Sequence, residues 1–127
     1  MTINSNKLAV VVTAAGSSTR MGGGIKKEYL ELCIDGKKGT VLSFSAKAFL
    51  TSLKVDLLII TTKKNGTEDA KKALFRDNEI LPLLKDTKLI FTEGGATRQE
   101  SVFNALREAQ EALEYKDAVV LIHDAAR

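Results

Sequence analysis

Four short apolar runs organise the chain. They occupy residues 8–12, 55–60, 88–91 and 118–122, and each leads into small or polar residues. Runs that are rich in β-branched residues and almost unbroken are typical of strands buried on both faces, as in a parallel sheet. The pattern therefore predicts four strands of this kind.

Helical spacing of apolar residues fills the intervals between these strands. Helices are predicted over residues 41–53, 68–75 and 99–115. Thr40 and Thr67 are candidate N-caps of the first two helices, because a threonine hydroxyl can accept a hydrogen bond from the first helical turn. The predicted buried face of the third helix consists of Val102, Ala105, Leu106, Ala109 and Leu113.

The order of these elements is that of an α/β protein. Strands that alternate with helices imply right-handed crossovers, a mainly parallel sheet and helices on both faces, which is a three-layer sandwich. Residues 81–86, with the single proline Pro82, are predicted to form a loop that closes the second helix. No repeat or linker interrupts the pattern, so residues 1–127 are expected to belong to one domain.

Composition narrows the classes of function. The chain has 127 residues, of which 44% are hydrophobic and 28% are charged, as in an ordinary globular domain. A net charge of +3 suits a small anionic ligand, and the lack of tryptophan and of an arginine-rich run argues against nucleic acid. Cys33 is the only cysteine and His123 the only histidine, so neither an intramolecular disulfide nor a zinc site is expected.

The pattern also bears on location. No apolar run approaches the roughly 20 residues that a membrane helix needs. Residues 1–7 lack the apolar stretch of a signal peptide, and a single cysteine agrees with a reducing compartment. We therefore expect a cytoplasmic protein with no membrane partner.

A loop of small residues follows the first strand, over residues 13–24. Its small and hydroxyl-bearing members include Ala14, Ala15, Gly16, Ser17 and Ser18. Such residues let a backbone approach a ligand closely, and successive amides in a turn form a concave nest for phosphate oxygens. Arg20 and Lys27 add positive charge beside it. The loop matches neither a Walker A motif nor a dinucleotide fingerprint, and a glycine-rich turn with solvated charges is the alternative interpretation.

A second motif, at residues 93–102, follows the third strand and opens the longest helix. Thr97 and Glu100 have the spacing of a capping box, which does not account for Gly94 and Gly95. These glycines would let the loop press against a flat ligand, with Ser101 on the first helical turn. Arg98 would lie at the helix N-terminus, where a positive side chain opposes the helix dipole. That placement indicates a ligand or an acidic partner for Arg98.

A third motif, His123-Asp124-Ala125-Ala126-Arg127, follows the last strand. A carboxylate at the end of a buried strand is well placed to hold a hard cation, and magnesium normally uses one or two carboxylates together with substrate phosphates. Asp124 is therefore a candidate metal ligand, whereas His123 is expected to be a hydrogen-bonded strand-end residue. Because all three motifs follow the carboxyl ends of parallel strands, the fold is expected to bring them into one nucleotide pocket.

The chain resembles the 2-C-methyl-D-erythritol 4-phosphate cytidylyltransferases of the non-mevalonate isoprenoid pathway. The resemblance is carried by residues 14–22, 26–30, 94–102 and 123–127. Sugar-nucleotide transferases broadly share the first of these segments, whereas Gly-Gly-x-x-Arg-x-x-Ser-Val together with His-Asp-Ala-Ala-Arg is more specific. The resemblance implies a Rossmann-like, nucleotide-diphospho-sugar transferase-like fold, of which this chain would be the CTP-binding N-terminal portion.

It also implies a reaction, the transfer of CMP from CTP to 2-C-methyl-D-erythritol 4-phosphate with release of pyrophosphate and with Mg²⁺ as cofactor. In that scheme Arg20 and Lys27 are the catalytic residues and Asp124 is the metal ligand. The residues that would bind substrate are Ala14, Ala15, Gly16, Ser17, Ser18, Gly94, Gly95, Arg98, Ser101, Ala125 and Arg127. CTP, a sugar-alcohol phosphate and, for the whole protein, a second copy in a homodimer are the expected partners.

The sequence departs from the family's pattern in places. Lys26 stands where the family commonly has proline, and Ala96 stands where an acidic residue often follows the two glycines. The family's sugar-phosphate site and dimerisation arm lie beyond the residue aligned with Arg127. The 127-residue portion alone is therefore expected to be weakly active or inactive.

Other interpretations remain open at this point. A ribitol-5-phosphate cytidylyltransferase shares these motifs, and a non-catalytic nucleotide-binding fragment would keep the same pocket. An α/β scaffold without any nucleotide role would require all three motifs to be purely structural. Binding of CTP separates the scaffold from the others, and a panel of acceptors on the whole protein separates the two enzymes.

Overall fold

The computed structural model describes residues 7–14, 20–21, 25–114 and 117–125. The strands are β1 Lys7–Ala14, β2 Arg20–Met21, β3 Ile25–Lys26, β4 Glu31–Ile34, β5 Lys37–Thr40, β6 Leu57–Thr62, β7 Lys88–Glu93 and β8 Ala118–Asp124. The helices are α1 Val41–Ser52, α2 Thr67–Phe75, α3 Ile80–Leu83 and α4 Arg98–Ala112, and a 3-10 turn covers Lys27–Tyr29.

The four predicted strands form one parallel sheet in the order β7-β6-β1-β8. β6 and the middle of β1, the two inner strands, are fully buried, because helices cover both of their faces. Val12, for example, lies between Ile60 of β6 and His123 of β8. The α/β fold class predicted from the alternation of elements is confirmed.

Two hydrophobic cores lie on opposite sides of this sheet, which gives the three layers. On one side α1, α2 and α3 pack against alternate residues of the inner strands, among them Val10, Leu58 and Ile60. On the other side α4 packs Ala105 and Ala109 against the remaining alternate residues. The alternation follows from the two-residue period of a strand.

Two of the four strands are less buried than predicted. Among the described residues β7 and β8 form the edges of the sheet, and most of their residues are only partly buried. Val119 is 48% exposed and Ile122 is 41% exposed. Their unbroken apolar runs resembled those of inner strands, and the order of the strands, which is a tertiary property, places them at the edges.

The helices also differ from prediction in detail. Leu106 was expected on the buried face of α4 but is 37% exposed, whereas Ser101, Ala105 and Ala109 form the buried face. Thr67 is the first residue of α2, not its cap, and Gly66 occupies the cap position without a side-chain bond. Thr40 does cap α1, in a capping box with Ser43. No helix in the described ranges has the length and apolar character needed to cross a membrane.

The segment predicted as a loop over residues 81–86 is partly helical. α3 covers Ile80–Leu83 and buries Ile80, and a turn follows it. Pro82 is tolerated because it lies in the first turn, where its missing N–H would have no helical partner. The prediction of a loop relied on the proline and missed this short helix.

A hairpin between the first strand and the first helix was not predicted. β4 and β5 pair in antiparallel fashion around Asp35 and Gly36, which have φ angles of 51° and 78°. Two consecutive positive φ angles are typical of the type I′ turns that Asp-Gly favours. The Asp-Gly dipeptide between two short runs was the signal that could have located it.

Candidate functional site

The strand order places a topological switch between β1 and β8. The chain runs outward from β1 to β6 and β7 through helices on one face, and α4 then returns it along the opposite face to β8. Such a switch opens a crevice at the carboxyl edge of the sheet, where open α/β folds bind ligands. Thr13 and Asp124 are direct partners in the β1–β8 register at that crevice.

Asp124 is held by two donors from different elements. The Thr13 hydroxyl donates to Asp124 Oδ1 at 2.6 Å, and the Arg98 Nε–H donates to the same oxygen at 3.1 Å. The Asp124 side chain is 22% exposed and that of Arg98 is 60% exposed. The carboxylate is therefore held in a defined orientation at the carboxyl edge of the sheet, between the ends of β1 and β8 and the start of α4.

Arg98 connects two distant strand ends. Edge strands β7 and β8 are three spacings apart, about 14 Å at the usual separation of neighbouring strands. The loop after β7 leads into α4, whose first residue is Arg98, and its ion pair with Asp124 closes this gap. Asp124 is thus the acidic partner that the position of Arg98 at a helix N-terminus had indicated.

The glycine loop before α4 is shaped by Glu100. Thr97 caps the helix by accepting from Glu100 N at 3.1 Å, and the Glu100 carboxylate accepts from Ala96 N at 2.8 Å. The second bond reaches one residue further back than in a standard capping box. A Cβ at Gly95 would collide with the Glu100 side chain, so Gly95 has a structural reason to be glycine.

Hydrogen bonds within the fold hold three more of the predicted substrate-binding residues, Gly94, Ser101 and Ala125. Gly94 N donates to Thr62 O at 2.6 Å, and the Ser101 hydroxyl donates to Thr97 O at 3.1 Å. Ala125 is fully buried, and its carbonyl accepts from the Ser45 hydroxyl at 3.1 Å. Their predicted contacts with a base or ribose stay predictions, and Ala125 would need to make its contact without an exposed side chain.

The predicted catalytic cations belong to one small antiparallel pair. Arg20 on β2 is the register partner of Lys26 on β3, directly before Lys27. The backbones of Arg20 and Lys27 are therefore neighbours, although they are separated in sequence by the glycine cluster. The side chains of both residues, and all of residues 15–18 and 127, lie outside the described part of the structure.

The 3-10 turn that begins at Lys27 is anchored in the core beneath it. Glu28 is 3% exposed, and Tyr29 packs against the core on the α1 and α2 side. Burial, followed by the nearby carboxylates of Glu28 and Asp69, raises the pKa of Tyr29 to about 12. The phenol is therefore neutral at physiological pH, and the turn is packed on the core directly after Lys27.

A family comparison covers this whole arrangement. The model of one family, 2-C-methyl-D-erythritol 4-phosphate cytidylyltransferase, matches residues 8–127. The chain belongs to this family. The match includes β1, the crevice and the tip of β8, which carry the motifs from which the resemblance was recognised.

Similar proteins that carry the name 2-C-methyl-D-erythritol 4-phosphate cytidylyltransferase agree with this family assignment. A protein of that name from Haemophilus ducreyi is 32% identical over 123 residues, which are 97% of this chain and 46% of the relative. One from Clostridium botulinum is 31% identical over 96% of this chain and 47% of its own length. One from Corynebacterium glutamicum is 33% identical over 98% of this chain and 48% of its own length. The chain spans about half the length of these relatives.

Thr13 is a site residue that the sequence analysis did not single out. Its hydroxyl donates to Asp124 and orients it, whereas the Thr61 hydroxyl accepts from Ala14 N at 3.3 Å where β1 ends. A threonine that ends an otherwise apolar strand was the available signal. It could not be interpreted without knowing that β8 lies beside β1.

The Mg²⁺ that the resemblance implies would have Asp124 as its protein ligand. Within the described residues no three His, Cys, Asp or Glu side chains converge, so Asp124 would be the protein carboxylate at this point. Magnesium commonly binds to one or two carboxylates and completes its shell with phosphate oxygens and water. The residues present therefore fit a magnesium ion shared with a bound triphosphate.

Proposed function

We propose that this chain is the CTP-binding portion of a cytidylyltransferase, and that the whole protein transfers CMP from CTP to 2-C-methyl-D-erythritol 4-phosphate. The products would be 4-diphosphocytidyl-2-C-methyl-D-erythritol and pyrophosphate. The observation that carries the proposal is the Arg98–Asp124 pair at the β1–β8 switch, because it joins two of the three family motifs in one crevice. The names of the relatives favour methylerythritol phosphate over ribitol phosphate as acceptor.

In this proposal the triphosphate lies over the loop that follows β1. Backbone amides of residues 14–18 would cradle the phosphates, and Gly94, Gly95 and Ser101 would face the cytosine. Mg²⁺ at Asp124 would neutralise phosphate charge when bound. Arg127 would reach toward the sugar phosphate.

Arg20 and Lys27 would stabilise charge at the phosphorus under attack. Phosphoryl transfer depends on positioning and on charge neutralisation more than on covalent catalysis. The pairing of β2 with β3 supports this role, because it makes the two backbones neighbours. A pair of cations held there would act on the transition state, where negative charge is largest.

The proposal leaves the remaining substrate contacts to the rest of the whole protein. The 127-residue chain alone is proposed to bind CTP and to turn over weakly or not at all. Cytoplasmic location and homodimerisation of the whole protein stay predictions.

The proposal is tested by titration calorimetry of the 127-residue chain with CTP and with ATP, in Mg²⁺ and in EDTA. CTP should bind about tenfold or more tightly with Mg²⁺ than without it, a gain of about 1.4 kcal/mol, and more tightly than ATP. Asp124→Asn should remove most of the magnesium dependence. Asp117→Asn is the matched control, because Asp117 is exposed next to the opposite end of β8, and it should behave as the wild type.

Two results would contradict the proposal. Failure of CTP to bind under any condition would leave a scaffold without nucleotide function. Equal binding of CTP and ATP, together with an unaffected magnesium dependence in Asp124→Asn, would remove both the base selectivity and the metal ligand.

A further inference from the structure

The Arg98–Asp124 ion pair joins two residues for which the family resemblance implies different roles. Asp124 is the proposed magnesium ligand, and Arg98 is among the residues that the resemblance assigns to substrate binding. In the structure the Arg98 Nε–H donates to Asp124 Oδ1 at 3.1 Å, alongside the Thr13 hydroxyl at 2.6 Å. The positive charge of the Arg98 guanidinium therefore lies directly beside the carboxylate that would bind the metal.

The position of Arg98 at the N-terminus of α4 favours its contact with Asp124. Arg98 is the first residue of α4, where the helix dipole repels a positive charge and attracts a negative one. The Asp124 carboxylate offsets that repulsion. Glu100, the acidic residue of the first turn, is turned back to Ala96 N.

The Asp124 carboxylate is also held in place by its surroundings. Its side chain is 22% exposed, and the register partner Thr13 fixes one of its oxygens. A divalent cation on either carboxylate oxygen would meet the guanidinium at close range in a partly desolvated crevice, where repulsion is stronger than in bulk water. The Arg98 charge therefore weakens metal binding for as long as it stays at Asp124.

We propose that Arg98 is a positioning residue that holds the place of the metal at Asp124 until nucleotide arrives. Without nucleotide, the guanidinium keeps the carboxylate oriented and weakens its affinity for free divalent cations. A triphosphate supplies phosphate oxygens that attract both the metal and the guanidinium, so metal and nucleotide enter together. The inference rests on the proposed function, since it takes Asp124 to be the metal ligand.

The test is a titration of the nucleotide-free chain with Mn²⁺, followed by paramagnetic broadening of the backbone amide signals of Thr13 and Ala125. Both residues adjoin Asp124, and a 13.8 kDa chain suits such spectra. Arg98→Gln should lower the Mn²⁺ concentration at half-broadening three- to tenfold. A residue that served only to support the site would weaken metal binding when it was replaced.

Three further variants separate charge from fold. Arg98→Lys keeps the positive charge and should stay within twofold of the wild type. Arg107→Gln removes the same charge from an exposed position on α4, where the guanidinium lies 5.9 Å from the Phe103 ring, and should also match the wild type. Asp124→Asn should abolish the selective broadening at Thr13 and Ala125.

The outcomes distinguish the two proposals. If Arg98→Gln binds Mn²⁺ no more tightly than the wild type, the place-holding role of Arg98 is wrong while Asp124 can still be the ligand. If Arg107→Gln tightens binding as much as Arg98→Gln, the effect is one of net charge and the inference is wrong. If Asp124→Asn leaves the broadening unchanged even with CTP present, the metal site of the proposed function fails, and the inference fails with it.

Discussion

Gly95 shows how one residue can serve the fold and the site together. The sequence offered a ligand as the reason for two adjacent glycines, and the structure adds the Glu100 side chain, which occupies the space of a Cβ at Gly95. Glu100 is drawn there because its carboxylate satisfies Ala96 N at the start of α4. The loop that would face the base is therefore shaped from behind by a helix cap.

Replacement of Gly95 by alanine should strain this loop. The added methyl collides with the Cβ of Glu100, whose position is set by the backbone of α4, so the free energy of unfolding measured with urea should fall by about 1–3 kcal/mol. The amide signal of Ala96 should shift as its bond to Glu100 is disturbed. Gly36→Ala is the control, because its Cβ meets nothing within 4 Å and its cost of about 1 kcal/mol arises only from the φ of 78°. A Gly95→Ala protein as stable as the wild type would contradict the collision.

The sequence indicated which residues belong to the site more readily than which of them are in contact. Asp124 and Arg98 were both singled out from the sequence, because a carboxylate ending a strand and a cation opening a helix are locally unusual. Their pairing at 3.1 Å was not predicted, since it depends on α4 crossing two strands to reach β8. Thr13 was missed for the same reason.

At the scale of elements, helix α1 is secured to its neighbours by a chain of charges. Lys47 on α1 lies 2.7 Å from Asp77 and 3.0 Å from Glu79, and Lys37 on β5 reaches Glu79 at 3.0 Å. Burial alone would lower the pKa of Lys47, but its hydrogen bonds with Asp77 and Glu79 outweigh burial and raise it. Hydrogen bonds from Lys47 and Lys37 lower the pKa of Glu79.

Loss of Lys47 should therefore uncouple α1 from the turn before α3. Asp77 is only 2% exposed, so Lys47→Met would leave a buried carboxylate without its partner and lower the free energy of unfolding by about 3 kcal/mol near pH 7. Lys71→Met is the control, because its pair with Glu68 is exposed and 3.9 Å long, and it should change stability by less than about 0.5 kcal/mol. Urea unfolding of the two variants provides the comparison.

The cost of Lys47→Met should also depend on pH. A carboxyl group whose pKa is lower in the folded protein contributes stability above its unfolded pKa of about 4.3 and loses it as pH falls through the folded pKa. Glu79 has such a lowered pKa, so the difference between Lys47→Met and wild type should shrink below about pH 4. A difference that stayed constant down to pH 3 would show that Lys47 does not stabilise the fold through the charge of Glu79.

At the scale of the whole molecule, the order of strands in the sheet determines which strands are most resistant to local opening. β1 and β6 are buried on both faces and paired on both sides, whereas in the described residues β7 and β8 each pair on one side. Local openings should therefore expose the edges before the centre.

Hydrogen exchange should reveal this gradient. We expect amides of β1 and β6 to exchange only through global unfolding, and those of β8 to exchange with an opening free energy at least about 1 kcal/mol smaller. Amides hydrogen-bonded within α4, which packs against this sheet, serve as an internal reference. Protection of β8 equal to that of β1 would contradict an edge position for β8 in solution.

The sequence by itself determined the four strands of the parallel sheet, the three longer helices between them, their order and the residues with chemistry at the strand ends. These depend on local periodicity and on local backbone preference, which is why the four strands, Thr40 as a cap and the family motifs were recognisable. A short signal such as Asp35-Gly36 was also present, although it was overlooked.

Only the tertiary structure decided which strands lie at the edges, why Leu106 is exposed, and that Thr13 and Arg98 meet at Asp124. These depend on strand order and on the crossover of α4 to the far side of the sheet. No local pattern encodes that choice, because it is made by burying two faces of one sheet at once, over contacts that span most of the chain.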